Sequence, residues 1–472
     1  MRNNQMKGPA LLLSIGLSLF LSRAVAQTQN SDSLYRQPLK TVLTDIESRF
    51  KVKIKYSDNQ VNDRWVNYAF WRFRPDVDET LGNVLTPLDL KVNKEKPGVY
   101  KLKEYEYYRW QVQEGQNTLD HLASLSPGKD SWEKRKALIK PALYEAQLLS
   151  PMPAKPLSKP IMTPKRIMDG YSVENIAIEI LPGLYVNGSL YKPLKIKGKI
   201  PVVLSPDGHW PQQRYRADAQ IRCAMIARMG AMAISYDLFA WGESLLQFKV
   251  EDHRRSLAQT MQTLGGIRIL DYVLSLKETD PARVGISGGS GGGSHTVLMA
   301  AMDDRIKLSA PVVSLSSSFY GGCPCESGMP VHLCAGGTNN VEIAAMAAPN
   351  PQLIVSDGKD WTVTVPEHDM PFLKTIYGYY GQPQLVYNVH LPEEGHDFGP
   401  SKRKALYDFL LLHFKLSGAA VKDKTGAYDE SKCTVEKEPA MYVFGDKGAR
   451  LPENAIKGFE QLEQVFKASI SK

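Results

Sequence analysis

The stretch Arg283-Val284-Gly285-Ile286-Ser287-Gly288-Gly289-Ser290-Gly291-Gly292-Gly293-Ser294 carries an apolar strand into a serine set among glycines, and the helix-like Val297-Leu298-Met299-Ala300-Ala301-Met302 follows. Small residues on both sides of a serine allow a sharp strand-to-helix turn. Such a turn holds the serine Oγ above the sheet, beside helix amides that can bind an anion. An acyl-transfer nucleophile needs this geometry. Two Gly-x-Ser-x-Gly matches overlap, centred on Ser287 and Ser290. Ser287 falls within the strand, where its side chain would be buried, so Ser290 is the expected nucleophile. Glycine-rich turns also bind phosphates, but a P-loop would need Lys followed by Ser or Thr here.

A serine nucleophile requires a base, a group that orients the base and an oxyanion site. In hydrolases built on a doubly wound sheet the chain order is Ser, acid, His, each on a loop after a strand. His396, in Glu393-Glu394-Gly395-His396-Asp397-Phe398-Gly399, is the expected base, and Asp360, in Ser356-Asp357-Gly358-Lys359-Asp360-Trp361, the expected acid. Asp357 is the second choice and reads as a turn residue ahead of Gly358. Glu394 and Asp397 read as solvated surface groups. Any one of the nine histidines is structural by default. His295, close behind the elbow, should point down its helix, while His209 precedes the nucleophile strand and suits another role. The oxyanion donors are expected to be the Gly291 N–H and the amide of His209 or Trp210, in Ser205-Pro206-Asp207-Gly208-His209-Trp210. Trp241, in the turn Tyr236–Ser244 beside that site, is a candidate substrate contact, although the plain reading of the turn is structural. Arg254 and Arg255 are the other candidates.

These loops need a sheet to hold them. Strands are expected at Val173–Ile180, Gly188–Tyr191, Ile200–Leu204, Ala231–Tyr236, Val284–Ser287, Leu308–Val313, Gln352–Val355 and Gln384–Val389. Helices are expected at Ala217–Arg228, Ser256–Ser275 and Ser401–Phe414. This alternation predicts an α/β fold with a doubly wound, mostly parallel sheet covered on both faces. The catalytic domain is expected over 166–420, with a C-terminal extension over 421–472. Residues 104–165 read as a helical and then proline-rich connector, with a charged amphipathic helix at Trp132–Lys140 and prolines at 151, 153, 156, 160 and 164.

Residues 35–103 read as a small α+β module. Leu39, Val42, Leu43, Ile46 and Phe50 recur at helical spacing, as do Val77, Leu81, Val84 and Leu85, with Asp76 or Asp78 placed to cap the second helix. Short strands are expected at Val52–Tyr56, Trp65–Tyr68, Leu88–Val92 and Val99–Leu102. The sequences Leu39-x-x-Val42-Leu43-x-x-Ile46-Glu47, Ile54-x-Tyr56-Ser57 and Thr80-Leu81-x-x-Val84-Leu85 resemble the short N-terminal domain of secretins and TonB-dependent transducers. The resemblance implies a docking or packing unit without chemistry of its own.

The chain of 472 residues is 43% hydrophobic and 23% charged, with a formal charge of +8. A basic start, an apolar run from Pro9 to Leu21 and Ala24-Val25-Ala26 read as a signal peptide over 1–26. The apolar run is too short to span a bilayer. An exported chain with no stable membrane insertion is expected, and no cysteine at the cleavage site calls for a lipid anchor. Setting aside Arg2, Lys7 and Arg23 leaves +5. That excess is chiefly surface charge and mildly favours acidic ligands. No basic cluster interleaved with aromatics calls for nucleic acid.

Five cysteines leave at least one without an intrachain partner. Cys323-Pro324-Cys325, Cys334 and His332 lie close together, and a zinc site there is conceivable. The usual Cys-x2-Cys spacing is missing, however, and a disulfide from Cys334 to Cys323 or Cys325 is expected instead. The reading assigns no metal and needs no cofactor.

Gly170-Tyr171-Ser172-Val173-Glu174-Asn175, Pro182-Gly183-Leu184-Tyr185-Val186, Arg283-Val284-Gly285, Asp303-Asp304-Arg305-Ile306 and Glu394-Gly395-His396 resemble α/β-hydrolase carbohydrate esterases of Bacteroidetes glycan-degrading systems, an acetyl-xylan-esterase-like group. With its small N-terminal module the arrangement is most similar to pectin methylesterases of this fold. The resemblance implies a serine esterase acting on plant cell-wall polysaccharide or oligosaccharide, with acidic pectic methyl esters as substrate and acetyl xylan as the alternative. Arg214, Arg216, Arg254 and Arg255 would then face substrate carboxylates. A periplasmic docking or signalling protein with an inactive hydrolase domain is the reading from another class; it would lack a triad member. A peptidase on the same fold stays open, and a lipase would want a long apolar lid.

Overall fold

The computed structural model describes residues 36–66, 69–85, 88, 90–104, 111–319, 321–327 and 329–470. The expected signal peptide lies outside them. The chain divides into two compact units, one ending at Glu106 and one beginning at Tyr107.

The first unit contains β1 (Gln37–Pro38), α1 (Leu39–Phe50), β2 (Lys53–Lys55), α2 (Asp58–Val61), β3 (Trp65–Val66), α3 (Val77–Leu85), β4 (Leu90–Lys96) and β5 (Val99–Glu104). The expected helical spacing turns Leu39, Val42, Leu43 and Ile46 of α1 and Leu81, Val84 and Leu85 of α3 into one buried core. Asp76 Oδ1 accepts the Glu79 N–H at 2.9 Å, so Asp76 rather than Asp78 secures the start of α3. Strand β5 lies between β2, which it meets in parallel, and β4, which it meets antiparallel.

The second unit begins with α4 (Val112–Leu125) and α5 (Lys129–Ala146), then β6 (Ile161–Met162), β7 (Arg166–Ile167), β8 (Tyr171–Leu181), β9 (Leu184–Pro193) and β10 (Ile200–Pro206). Next come α6 (Ala217–Arg228), β11 (Met232–Tyr236), α7 (Ala258–Ser275), β12 (Thr279–Gly289), α8 (Gly291–Met302) and β13 (Leu308–Val312). After these follow α9 (Pro324–Ser327), α10 (Met329–Leu333), α11 (Asn340–Ala345), β14 (Gln352–Asp357), α12 (Met370–Gly378), β15 (Val386–Leu391), α13 (Pro400–Phe414) and α14 (Phe459–Ile470). The strands form a ten-stranded sheet in the order β15-β14-β13-β12-β10-β11-β9-β8-β6, with β7 also paired to β8. From β11 to β15 the neighbours are parallel; β9, β8, β6 and β7 join antiparallel.

This is the expected doubly wound, mostly parallel sheet. Its faces follow from the two-residue period of a strand. Val202 and Leu204 of β10 pack with α7 and α14 on one face, while Val203 packs with α6 and α13 on the other. After β10 the chain lays β11 on one side and then β12 on the other. The carboxyl ends of β10 and β12 therefore diverge at a switch point, where such sheets bind ligands.

Two regions carry more structure than the sequence suggests. Strands β6 and β7 fall in the proline-rich stretch and extend the sheet at β8. The last fifty residues return to the sheet: Val443, Phe444 and Ala455 pack on Ala177 and Tyr185, and Phe459, Leu462 and Phe466 of α14 join the core beside α7. Among the described residues no helix is long and apolar enough to cross a membrane.

Candidate active site

Ser290 stands between β12 and α8 with φ 54° and ψ −124°, a left-handed backbone that a serine adopts only under tertiary constraint. Two contacts supply it. The Ser290 N–H donates to the Val312 carbonyl of β13 at 3.0 Å. A Cβ on Gly288 would stand 2.5 Å from the Pro206 carbonyl oxygen at the end of β10, so only glycine lets the two strand ends approach. Ser287, one residue inside the strand pair, is buried and donates its hydroxyl to the Ala310 carbonyl at 2.9 Å.

Three distant loops meet at Ser290. His396 Nε2 lies 2.9 Å from Ser290 Oγ, and His396 Nδ1 lies 2.7 Å from Asp360 Oδ2. The other Asp360 oxygen accepts the Thr362 N–H at 2.6 Å and the Thr362 hydroxyl at 2.5 Å. Burial pushes the Asp360 carboxyl up, but the hydrogen bonds from His396 and Thr362 outweigh it and hold the group below its usual range. The imidazole of His396 sits between aromatic rings, 4.5 Å from Trp361 and 5.5 Å from Trp210. Trp361 is itself fixed by its Nε1–H, donated to the Ser314 carbonyl at 3.1 Å.

Asp357 is buried and lies 3.3 Å from Lys402 Nζ. Lys402, fully buried on α13, also donates to the Gly395 carbonyl and to Asp397 Oδ1 at 2.9 Å. Asp397 and Glu394 were expected to be solvated surface groups. Asp397 is largely exposed, as expected, and Glu394 is half-buried; both also approach this ammonium, which braces the His396 loop from below. His295 does point down α8 into the core, and burial lowers its imidazole to about 3, a neutral ring.

The expected oxyanion loop packs on the elbow. A Cβ on Gly289 would meet the Trp210 ring at 2.6 Å, and one on Gly291 would meet the His209 ring at 2.4 Å. Gly291 opens α8, so its N–H is among the first-turn amides that have no acceptor within the helix. Trp241 does not project into open space. Its ring packs against His209 at 5.6 Å and His253 at 5.5 Å.

The cleft beside the histidine encloses about 370 Å³ and is lined by Trp210, Pro211, Arg216, Asp218, His396, Asp397, Phe398 and Gly399. A larger groove of about 690 Å³, along Leu353, Met370, Tyr387 and Phe409, includes none of the triad residues.

The arginines divide. Arg214 is buried and spends its donors on Asp237, Ser189, Glu243 and the Met441 carbonyl, so it cannot meet a substrate. Arg216 lines the cleft, but its five N–H groups already serve Asp207, Asp218 and the Gln213 carbonyl. Arg255 turns to α14, with Glu460 at 3.3 Å and Phe459 beneath its guanidinium at 3.9 Å. Arg254 is exposed.

The expected disulfide is not formed: Cys323, Cys325 and Cys334 make none. The sulfurs of Cys323 and Cys325 are turned instead toward His209 and His253. His332 bonds Asn340 at 3.0 Å. Sequence proximity had pointed to His332 and Cys334 as neighbours of the Cys-Pro-Cys segment. The fold chooses histidines 70 to 116 residues away, which no local pattern announces.

The family model of acetyl xylan esterase (AXE1) matches residues 251–321, a segment that includes the elbow. Comparison with curated proteins gives no match. Among solved structures, Methylesterase BT1017 is 47% identical, over 94% of this chain and 100% of its own, with a TM-score of 0.74. An acetyl xylan esterase from Paenibacillus sp. R4 is 17% identical over 64% of this chain and 99% of its own, with a TM-score of 0.41. A glucuronoyl esterase from Solibacter usitatus is 16% identical over 60% and 93%, with a TM-score of 0.41. At 47% identity over 94% of its length, the chain belongs to the family of Methylesterase BT1017 and is a carboxylic ester hydrolase of the α/β-hydrolase fold.

Proposed function

We propose that this chain is a serine carbohydrate esterase that removes methyl esters from pectic uronates. The reading is carried by the unbroken hydrogen-bond path from Asp360 to Ser290 through His396, which lines an open cleft. Ser290 Oγ attacks the ester carbonyl as His396 Nε2 takes its proton, and Asp360 holds the imidazole by Nδ1 and balances its charge. The carbonyl oxygen, now an oxyanion, is received by the Gly291 N–H and by the amide of His209 or Trp210. His396 returns the proton to the departing methoxide, which leaves as methanol. Water activated by the same nitrogen then frees the uronate from Ser290.

The choice of ester draws on the 47% identity to a protein named as a methylesterase. The AXE1 match favours acetate removal as the second reading. Of the four arginines expected to face substrate carboxylates, Arg214 is buried and Arg216 has its donors fully occupied, so basic residues lend the acidic substrate little support. An inactive docking protein is disfavoured, because no triad member is missing. The N-terminal residues 1–26 support export, and the module that follows them is read as a docking unit for a polysaccharide-degrading apparatus.

Incubation of the enzyme with methyl-esterified pectin and with acetylated xylan, with methanol and acetate both quantified, separates the two esters. Methanol from pectin is expected. Acetate alone would replace the methylesterase reading with the acetyl one, and release of neither would return the chain to the docking class.

A further inference from the structure

His209, His253, Cys323 and Cys325 bring four donor atoms within 4.8 Å of one another. His253 Nε2 stands 2.9 Å from Cys325 Sγ and 3.4 Å from Cys323 Sγ. His209 Nε2 stands 3.3 Å and 3.7 Å from the same sulfurs and 2.5 Å from the other Nε2. A tetrahedral zinc ion with Zn–N of about 2.0 Å and Zn–S of about 2.3 Å sets donor-to-donor edges of roughly 3.3–3.8 Å. The nitrogen–sulfur edges run from 2.9 to 3.7 Å, three of the four within that range, and the nitrogen–nitrogen edge is shorter.

The surroundings select the tautomers. His209 Nδ1 faces Glu326 Oε1 at 2.6 Å, and His253 Nδ1 faces the Phe239 carbonyl. With both Nδ1–H groups donating outward, each Nε2 turns a lone pair inward, toward the other nitrogen and two sulfurs. Once the two thiols are deprotonated, four lone-pair donors converge in a buried pocket, an arrangement that a shared cation stabilises. An outer carboxylate or carbonyl on the far nitrogen is also what orients a metal-bound imidazole. Cys323, Cys325, His253 and Glu326 are all buried, and Trp241 covers the two rings.

We propose that these four side chains hold one zinc ion. Two thiols lose their protons to solvent on binding, so the charges of Zn²⁺ and two thiolates cancel within the ligand set. Mixed nitrogen and sulfur donors in a tetrahedron suit zinc, and donors this close together have room for a single ion. Four protein ligands close the coordination sphere, which makes the ion structural. It ties together the loop after β10, the turn Val250–Arg254 and the segment after β13. The knot lies directly against the elbow, since a Cβ on Gly291 would stand 2.4 Å from the His209 ring and 2.6 Å from Glu326 Oε1. The ion thereby fixes the loop that carries the His209 and Trp210 amides. The ligand geometry stands independently of which ester is cleaved.

Elemental analysis of the full chain, purified without metal-affinity resin and dialysed, tests the site. About one zinc per chain is expected, and its removal by a strong chelator should lower Tm. The double variant Cys323→Ser/Cys325→Ser should lose the zinc, whereas Cys433→Ser, a thiol outside the cluster, should keep it. Should the double variant fail to fold, cobalt reconstitution of the wild-type chain gives an independent readout: tetrahedral cobalt with thiolate ligands has intense visible bands and a near-ultraviolet charge-transfer band. Less than a tenth of an equivalent of zinc after growth with added zinc would overturn the proposal. So would full zinc in the double variant, an octahedral cobalt spectrum, or a Cys323–Cys325 disulfide in the chain as isolated.

Discussion

A Cβ added to Gly208 would stand 2.9 Å from the Ser290 Cβ and 2.6 Å from the Gly289 carbonyl oxygen. The loop after β10 is thus pressed on the nucleophile turn, and the missing methyl is what permits it. In Gly208→Ala the loop must withdraw and take the His209 and Trp210 amides with it. Loss of one oxyanion donor costs about 3 kcal/mol. The expected result is a fall in kcat of about 10²–10³-fold on a nitrophenyl ester, with a lower Tm as well, because the added methyl meets backbone. Unaltered turnover would remove this loop from the oxyanion site.

Asp360→Asn keeps the size of the side chain, but with its single oxygen held by Thr362 it turns an NH2 donor toward His396 Nδ1 and favours the wrong imidazole tautomer. By analogy with other triads kcat should fall about 10⁴-fold. Circular dichroism should be unchanged, because Thr362 still bonds the remaining oxygen. Ser290→Ala should lower kcat about 10⁶-fold, to a trace. A Ser290→Ala protein that still cleaves the ester well above that trace would show that the chemistry lies elsewhere.

Lys402 stands beneath the His396 loop, and Asp357 is buried against it at 3.3 Å. Lys402→Met strands that carboxylate. Removing one partner of a buried pair costs about 3–5 kcal/mol, less here because Asp397 is largely exposed. Denaturant unfolding should show the loss, and kcat should fall as the Gly395 carbonyl is released. Adding Asp357→Asn should restore part of the stability. If the second change makes matters worse, the pairing is not the cause.

Asp369 is buried, accepts one N–H from Ser317 at 3.3 Å, and is raised by burial to about 7 from an ordinary 3.8. The folded chain therefore keeps a proton that the unfolded chain has already released. Between about pH 4 and pH 7 folding binds protons, so stability falls as pH rises, and the deficit is complete above pH 7. At 1.36 kcal/mol per pH unit the full effect approaches about 4 kcal/mol. Asp369→Asn should lack this slope. Urea midpoints of both proteins at pH 5 and pH 8 give the comparison, in which every other titrating group cancels. Parallel changes would acquit Asp369.

The sheet was legible because its strands are long apolar runs alternating with helices. Ala217–Arg228 matches its helix end to end, and Ser256–Ser275 starts two residues before α7. Ser290, Asp360 and His396 were legible as neighbours because chain order and strand ends are topological facts, and the structure brings the three within hydrogen-bonding distance. Partnerships made by buried polar groups were not legible. Nothing local marks Arg214 as a core residue, pairs Glu394 and Asp397 with Lys402, or sends Cys323 to His253. Those contacts depend on which loops the sheet places side by side. The short strands β6 and β7 were hidden among prolines, because edge strands tolerate the residues that interior strands exclude.

The Glu243 carboxylate accepts the N–H groups of Val443 and Phe444, and Ile456 N–H reaches back to the Gly183 carbonyl in the turn between β8 and β9. The tail is therefore an internal clasp, closed only after residues 443–456 have been made. A protein cut short after α13 would leave Glu243 and Arg214 with broken partnerships and a bare apolar flank, and is expected to aggregate instead of yielding a smaller working enzyme.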